Sequence, residues 1–459
     1  MTVIPQGRTE PSLTESEKSF RGLLQIKAFR NLWLAQILSQ TAHNGIHYVE
    51  LLMILQLTNS TGHTGLMVLA FTLPAVLFSA IAGIVVDRFP KRRILVGSNV
   101  LRIITALSYI VALQFFSGRF LLVWVYSVTF IASAIAQFFA PAEGATIPML
   151  VGRKRLIVAN SLFNLTITGS QVLGLLILFP FIIKIGDSWF GSGNGIQVSF
   201  ALVAVMYAVA SWLLAKLPPD PVLSHMSKTA AEDVESAVQR SWRELRGGLS
   251  FVRNTPSIWV PMLNLSVTAT VAMILAVIAP KFADVILRVS KEDAIYIFAP
   301  AGIGMLGGTF LISRIGHLFS RENLSNGGLV LQGIVLSLLS LISFYWEGST
   351  GMTAATMVLA FGLGLGFAFI GIPAQTMLQE RSPHSVRGRV YSVQYLMANV
   401  LGIPPMLFVA TLADRIGIPP VTMIVGLALL LLAVWTVWWS ARHHPVIPQD
   451  ELAEIHETA

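Results

Sequence analysis

The chain contains no cysteine. That excludes disulfides, thiolate metal sites and cysteine nucleophiles. Charge is scarce as well: 12% of the 459 residues are Asp, Glu, Lys or Arg, against about 25% in soluble domains. The net charge of +8 invites a nucleic-acid reading, but the basic residues are scattered between greasy stretches and make no aromatic–basic platform. No G-x-x-x-x-G-K-[ST] occurs, so the chain carries no ATPase of its own. GIGMLGG at 302–308 formally contains G-x-G-x-x-G. It lies inside an apolar span with no strand before it, and small residues that let helices approach closely are the better account. No motif calls for a cofactor. The first 28 residues lack an apolar core ending in a small-residue cleavage site, so the first span is expected to remain as an anchor.

What the chain has is hydrophobic length: 54% of its residues are hydrophobic and the mean hydropathy is +0.71. About 20 apolar residues cross a bilayer. Twelve such stretches are legible, at 31–57, 64–86, 94–116, 120–142, 157–183, 196–216, 257–280, 294–313, 324–345, 352–378, 386–412 and 419–440. Runs this long must be helices, since barrel strands are far shorter. With the N-terminus inside, Lys and Arg divide 24 to 6 in favour of the inner segments. Both termini are therefore expected in the cytoplasm. The longest hydrophilic segment falls between spans six and seven. The expected organisation is a tail (1–28), a six-helix bundle (29–216), a cytoplasmic linker with an amphipathic helix (217–256), a second bundle (257–440) and a C-terminal tail (441–459). A faint repeat supports the division: Pro141, Ala142 and Arg155 recur at one offset as Pro373, Ala374 and Arg387, around the end of each fourth span.

The loop after span two reads GIVVDRFPKRRIL. Through Gly83, Asp87, Arg88, Lys91 and Arg92 it resembles the signature loop of the major facilitator superfamily, with Pro90 where a second glycine is usual. A carboxylate at a helix end can meet the positive N-terminus of a neighbour while adjacent cations grip carboxylates or carbonyls. Such a cluster reads as a gating latch between two halves; the plainer reading is a positive-inside anchor. The second-half equivalent, SRIGHLF at 313–319, has Ser313 in place of the acid. Any latch from that side is weaker.

FFAPAEGATIPMLVGRKRLIVAN, beginning at Phe138, is similar to the macrolide-efflux-like branch of the superfamily through Phe139, Pro141, Ala142, Ala145, Ile147, Pro148, Leu150, Val151, Ala159 and Asn160. WRELRGGLSFVRNTP in the linker and LQERSPHSVRGRVYS, with Arg387, Gly388 and Arg389, resemble the same branch. The resemblance implies the major facilitator fold: an all-α polytopic membrane protein with twelve transmembrane helices in two pseudo-symmetric bundles. It also implies an inner-end motif of Pro141, Glu143, Arg387 and Arg389. Two departures bear on mechanism: span four carries no arginine and span five no Gly-Pro pair, both features of proton-coupled antiporters in other branches.

One helix does not look like the others. In QILSQTAHNGIHYVELLMILQL, residues Gln36, Gln40, His43, His47 and Glu50 stay within roughly 80° of one another around a helix. His43 and His47 fall near the midplane, with Glu50 about 8–9 Å further along at 1.5 Å per residue. An acid at such depth costs about 2.5–3.5 kcal/mol on insertion scales, so it should face a bundle interior or a water-filled cavity. The favoured role is the wall of a central substrate and proton cavity. There Gln36, Gln40 and Asn44 would hydrogen-bond substrate, and His43, His47 and Glu50 would handle protons. Binding of a divalent metal by His43, His47 and Glu50 is thinly supported, and simple interhelical pairing remains a third role. Arg102, the other deep charge, would pair with Glu143 or with a substrate carboxylate.

These features, with the resemblance, imply a non-enzymatic secondary transporter that exports small amphipathic compounds across the cytoplasmic membrane by alternating access. Protons are the expected coupling ion. The expected partners are a small-molecule substrate and the bilayer, with no nucleic acid, no metal and a monomeric chain. The alternatives are an importer or symporter of a polar nutrient, and a receptor or scaffold of the same fold.

Overall fold

The computed structural model describes residues 20–152, 155–191, 193–219, 246–290, 297, 299–345, 349–383 and 387–442. Among these are twelve principal helices and no strand. The first half holds α1 (Lys27–Thr58), α2 (Thr61–Arg88), α3 (Lys91–Phe115), α4 (Gly118–Val151), α5 and α6 (Asn194–Ala215). Helix α5 runs as Leu156–Val172, a π-helical turn Leu173–Leu178, then Phe179–Phe190. The second half holds α7 (Pro256–Val285), α8 (Pro300–Ile315), α9 (Arg321–Tyr345), α10 (Thr350–Glu380), α11 and α12 (Ile418–Arg442). Helix α11 repeats the pattern of α5: Arg387–Leu396, a π-helical turn Met397–Leu401, then Ile403–Ile416. Ten helices are long and apolar enough to cross a membrane. The other two are α1, whose polar stripe lowers its hydropathy, and α8, described over 16 residues.

Helix contacts repeat from half to half. Helix α2 packs on α4, α3 on α4 and α3 on α6; six helices later, α8 packs on α10, α9 on α10 and α9 on α12. The π-helical turn of α5 passes α1, and that of α11 passes α7. Where α5 crosses α1 the backbones nearly touch: a Cβ on Gly174 would lie 2.6 Å from the Thr41 carbonyl oxygen. Glycine is what permits the approach.

One expected boundary changes. Helix α4 does not stop at 142 but continues to Val151, with Pro141 and Pro148 inside it; α10 runs to Glu380 with Pro373 inside it. A proline in a membrane helix is tolerated because neighbouring helices and side chains can satisfy the freed backbone groups. Glu143 is consequently an interior residue of α4, not a residue beyond its end. Of the linker, 220–245 lies outside the described residues, as do most of the two tails. Its last part, 246–254, is helical. There Val252 packs with Ile258, Met262, Leu378, Val390 and Val393 of the second half.

The end of the bundle bearing the linker is here the linker face; the opposite end is the distal face. At the distal face Asn59 closes α1 in a left-handed conformation (φ 50°), as C-terminal residues often do. Ser60 then caps α2 by accepting from the His63 amide at 3.2 Å. The two halves meet through α1 and α2 against α7 and α11. Val68, Leu69 and Phe71 of α2 pack there into a cluster with Ile274, Ile278, Met406 and Ala410. That cluster seals the distal side.

Candidate functional site

The stripe of α1 divides into parts with different surroundings. Gln36 is fully buried and neither side-chain polar atom has a partner. Gln40 is half-buried, and its backbone carbonyl accepts from Asn44 Nδ2 at 2.8 Å. His43 meets His47 edge-on with ring centroids 4.5 Å apart, and His47 stacks on Phe71 of α2 at 4.4 Å. Their spacing of four residues puts them on one face, and the apolar length of α1 fixes their depth.

Glu50, 1% exposed, is the hub. Its Oε2 lies 3.0 Å from His47 Nδ1. Its Oε1 accepts from the Tyr109 hydroxyl of α3 at 2.6 Å, and Tyr109 in turn lies 2.7 Å from Thr129 Oγ1 of α4. A buried carboxylate needs its lone pairs satisfied, and three helices supply the partners.

Arg102 is 4% exposed. Its guanidinium lies over Phe139 of α4 and Tyr207 of α6, at 5.0 and 5.4 Å from the ring centroids. Its Nε and Nη1 have no hydrogen-bond partner. Glu143 faces it within electrostatic reach, but no ion pair joins the two, and Glu143 Oε1 is also unpartnered. A desolvated guanidinium with open N–H groups is expensive; the aromatic rings offset part of that cost. His43, His47, Glu50, Arg102, Ser133 and Tyr207 line one small cavity, with room for about a single water molecule.

Other expected residues lie elsewhere. Gly83 borders open space, with nothing within 4 Å of an added Cβ. Asp87 sits in the last turn of α2, its side chain outside the described residues. Arg88 and Lys91 are half-buried nearby. Arg92 donates to the Ala215 carbonyl at the C-terminus of α6, within the same half, a favourable place for a cation. Pro141 is half-buried inside α4. Arg389 is exposed beside Gly247 and Gly248, whereas the Arg387 side chain lies outside the described residues. Among the described residues no group of three or more His, Cys, Asp or Glu is disposed to hold a metal ion.

Sequence reasoning missed Tyr109, Thr129, Ser133, Tyr207 and Asp414.

The sequence profile of the Major Facilitator Superfamily matches residues 32–405. The chain belongs to the major facilitator superfamily. It is a multi-pass membrane transporter, not an enzyme. It is 22% identical over 414 residues to the uncharacterized MFS-type transporter YfiS of Bacillus subtilis, covering 87% of this chain and 91% of that one. It is 23% identical over 427 residues to the lysophospholipid transporter LplT of Escherichia coli, covering 91% and 97%. The structure of a point mutant of the nucleoside transporter NupG superposes with a TM-score of 0.66 at 14% identity, covering 90% of this chain and 99% of that one. The D-xylose–proton symporter gives 0.63 at 15% identity, covering 89% and 97%. These structures share the fold; they carry no cargo over to this chain.

Proposed function

We propose that this transporter moves a single-tailed amphiphile with an anionic head, of the lysophospholipid or lipophilic-metabolite kind. It does so by alternating access of two six-helix halves (29–216 and 257–440) across the cytoplasmic membrane. Arg102 carries the reading: a buried guanidinium with two unpartnered N–H edges on a polar cavity is a ready partner for a phosphate or carboxylate. The second half lines its own small cavity mostly with apolar side chains, Thr422 supplying the one hydroxyl, which suits an acyl or aromatic tail. Similarity to transporters named for lysophospholipids points to the same substrate class. The efflux-like motifs of α4 and the linker favour export, with both termini cytoplasmic and the chain monomeric.

Protons drive the cycle in this proposal, with His43, His47 and Glu50 loading from the distal side as cargo leaves. Each charge moved contributes about 2.3 kcal/mol per 100 mV. The test is flux in proteoliposomes carrying a pH gradient, with three amphiphiles of equal tail bearing phosphate, quaternary ammonium or neutral sugar heads. Gradient-dependent flux should be largest for the phosphate head and accompanied by counter-flow of protons. Equal rates for all three heads would remove the role of Arg102. Flux indifferent to the gradient would remove the proton.

A further inference from the structure

Among the described residues, the most heavily hydrogen-bonded carboxylate at the interface of the two halves belongs to none of the sequence motifs. Asp414 lies in the last turn of α11 at the distal face. Its Oδ1 accepts from the Thr61 amide at 3.0 Å and Lys281 Nζ at 2.6 Å, and lies 2.7 Å from the Thr61 hydroxyl, which also reaches the Ala410 carbonyl of α11 at 2.6 Å. Its Oδ2 accepts from Ser60 Oγ at 2.6 Å and the Gly62 amide at 2.9 Å. Ser60, Thr61 and Gly62 open α2 in the first half, whereas Asp414 and Lys281 belong to the second. The approach is close: a Cβ on Gly62 would lie 3.2 Å from Thr411 Cγ2 and 3.3 Å from Asp414 Oδ2.

The placement is wrong for α11 and right for α2. A carboxylate in the last turn of a helix faces the negative end of its own dipole. Asp414 is compensated by the positive N-terminus of another helix, whose first amides it accepts from. The chain contains two Asp-Arg dipeptides, Asp87–Arg88 and Asp414–Arg415. They fall in the last turns of α2 and α11, the two helices that pack across the interface. These helices reach opposite faces at their C-termini, so each Asp lies at the end of the molecule where the partner helix begins.

We infer that Asp414 is the distal latch of the transport cycle, a positioning residue that holds the distal face shut by capping α2 across the interface and is released when that face opens. At the linker face the corresponding place is held by Asp87, the acid of the signature loop already expected to act as a latch. The latch goes beyond the cargo proposed above and does not depend on it.

The absence of cysteine makes the test clean. Val68, 3% exposed in the distal seal, is replaced in a Val68→Cys reporter, and its modification by a bulky maleimide is timed on purified protein without substrate. Asp414→Asn should speed labelling at least fivefold. Thr61→Val, from the other half, should speed it about twofold and add little to Asp414→Asn in combination. Asp87→Asn should slow it. A second reporter, Ala112→Cys in the core of the first half, should stay protected in every variant. Labelling at Val68 unchanged by Asp414→Asn overturns the latch, and so does acceleration at Ala112 and Val68 together, since that reports unfolding. Acceleration by Asp87→Asn overturns the correspondence.

Discussion

Where the first half buries Glu50, Arg102 and Glu143, the second half holds Val271, Ile274, Leu275, Ile278, Leu336 and Val425 around its own small cavity, with Thr422 as the one hydroxyl. Among the described residues no Asp, Glu, Lys or Arg of the second half is buried. Its interior polar groups are neutral and mostly paired, as in Asn264 Nδ2 donating to Ser325 Oγ at 2.9 Å and Thr436 Oγ1 to Asn326 Oδ1 at 2.9 Å. The helix pairings repeat; the chemistry does not. Buried charge in a membrane bundle is costly and is retained where it acts. In the proposed cycle, a scaffold symmetric in its helix pairings would present a charged wall from one half and a largely apolar one from the other.

The largest test of that contrast is Glu50→Ala. It removes the acceptor of the Tyr109 hydroxyl and the partner of His47 Nδ1, and leaving buried polar groups unsatisfied costs about 1–3 kcal/mol each. Thermal unfolding in detergent should shift down clearly, and gradient-driven flux should vanish. Glu50→Gln keeps an acceptor for Tyr109 and should recover most of the stability while flux stays uncoupled from protons. If both variants melt like the parent and still pump, the charged wall is ornamental.

Arg102→Met separates function from stability within the same wall. Losing about 2 kcal/mol of charge-assisted bonding to an anionic head predicts a rise in KM of about 30-fold. The fold should not suffer, because an apolar isostere of a buried charge is often neutral or stabilising. A melting point that falls alongside a rising KM would instead assign Arg102 to packing, through Phe139 and Tyr207. The neutral-head amphiphile is the control, and its KM should hardly move.

The fold was legible because hydropathy alone forces helices in lipid. The boundary at 142 misled because the helix runs on past Pro141 and Pro148 to Val151, proline being tolerated in a membrane bundle. The polar stripe was visible through its periodicity on α1. Its partners were not: Tyr109 and Thr129 are ordinary core residues until folding brings them within 2.6 and 3.3 Å of Glu50 Oε1. Asp414 was hidden for a related reason, since its donors Ser60 and Thr61 lie more than 350 residues away in sequence.

Two glutamines provide the finest test, because they are matched in everything but location. Gln36 on α1 and Gln332 on α9 are both fully buried, and neither has a partner for its Oε1 or Nε2. An unsatisfied buried polar group costs about 1–3 kcal/mol, so Leu at either position should raise the melting point by a similar amount. Transport should tell them apart. Gln332→Leu lies in the half that buries no charge among the described residues and should leave flux within about twofold of the parent. Gln36→Leu removes amide donors and an acceptor from the charged half, and flux should fall about tenfold despite the added stability, the usual trade where activity needs a destabilised site. Equal losses from the two would put polar function in both halves and dissolve the contrast. Equal neutrality would confine function to Glu50, His47 and Arg102, leaving Gln36 as a cost the bundle carries without use.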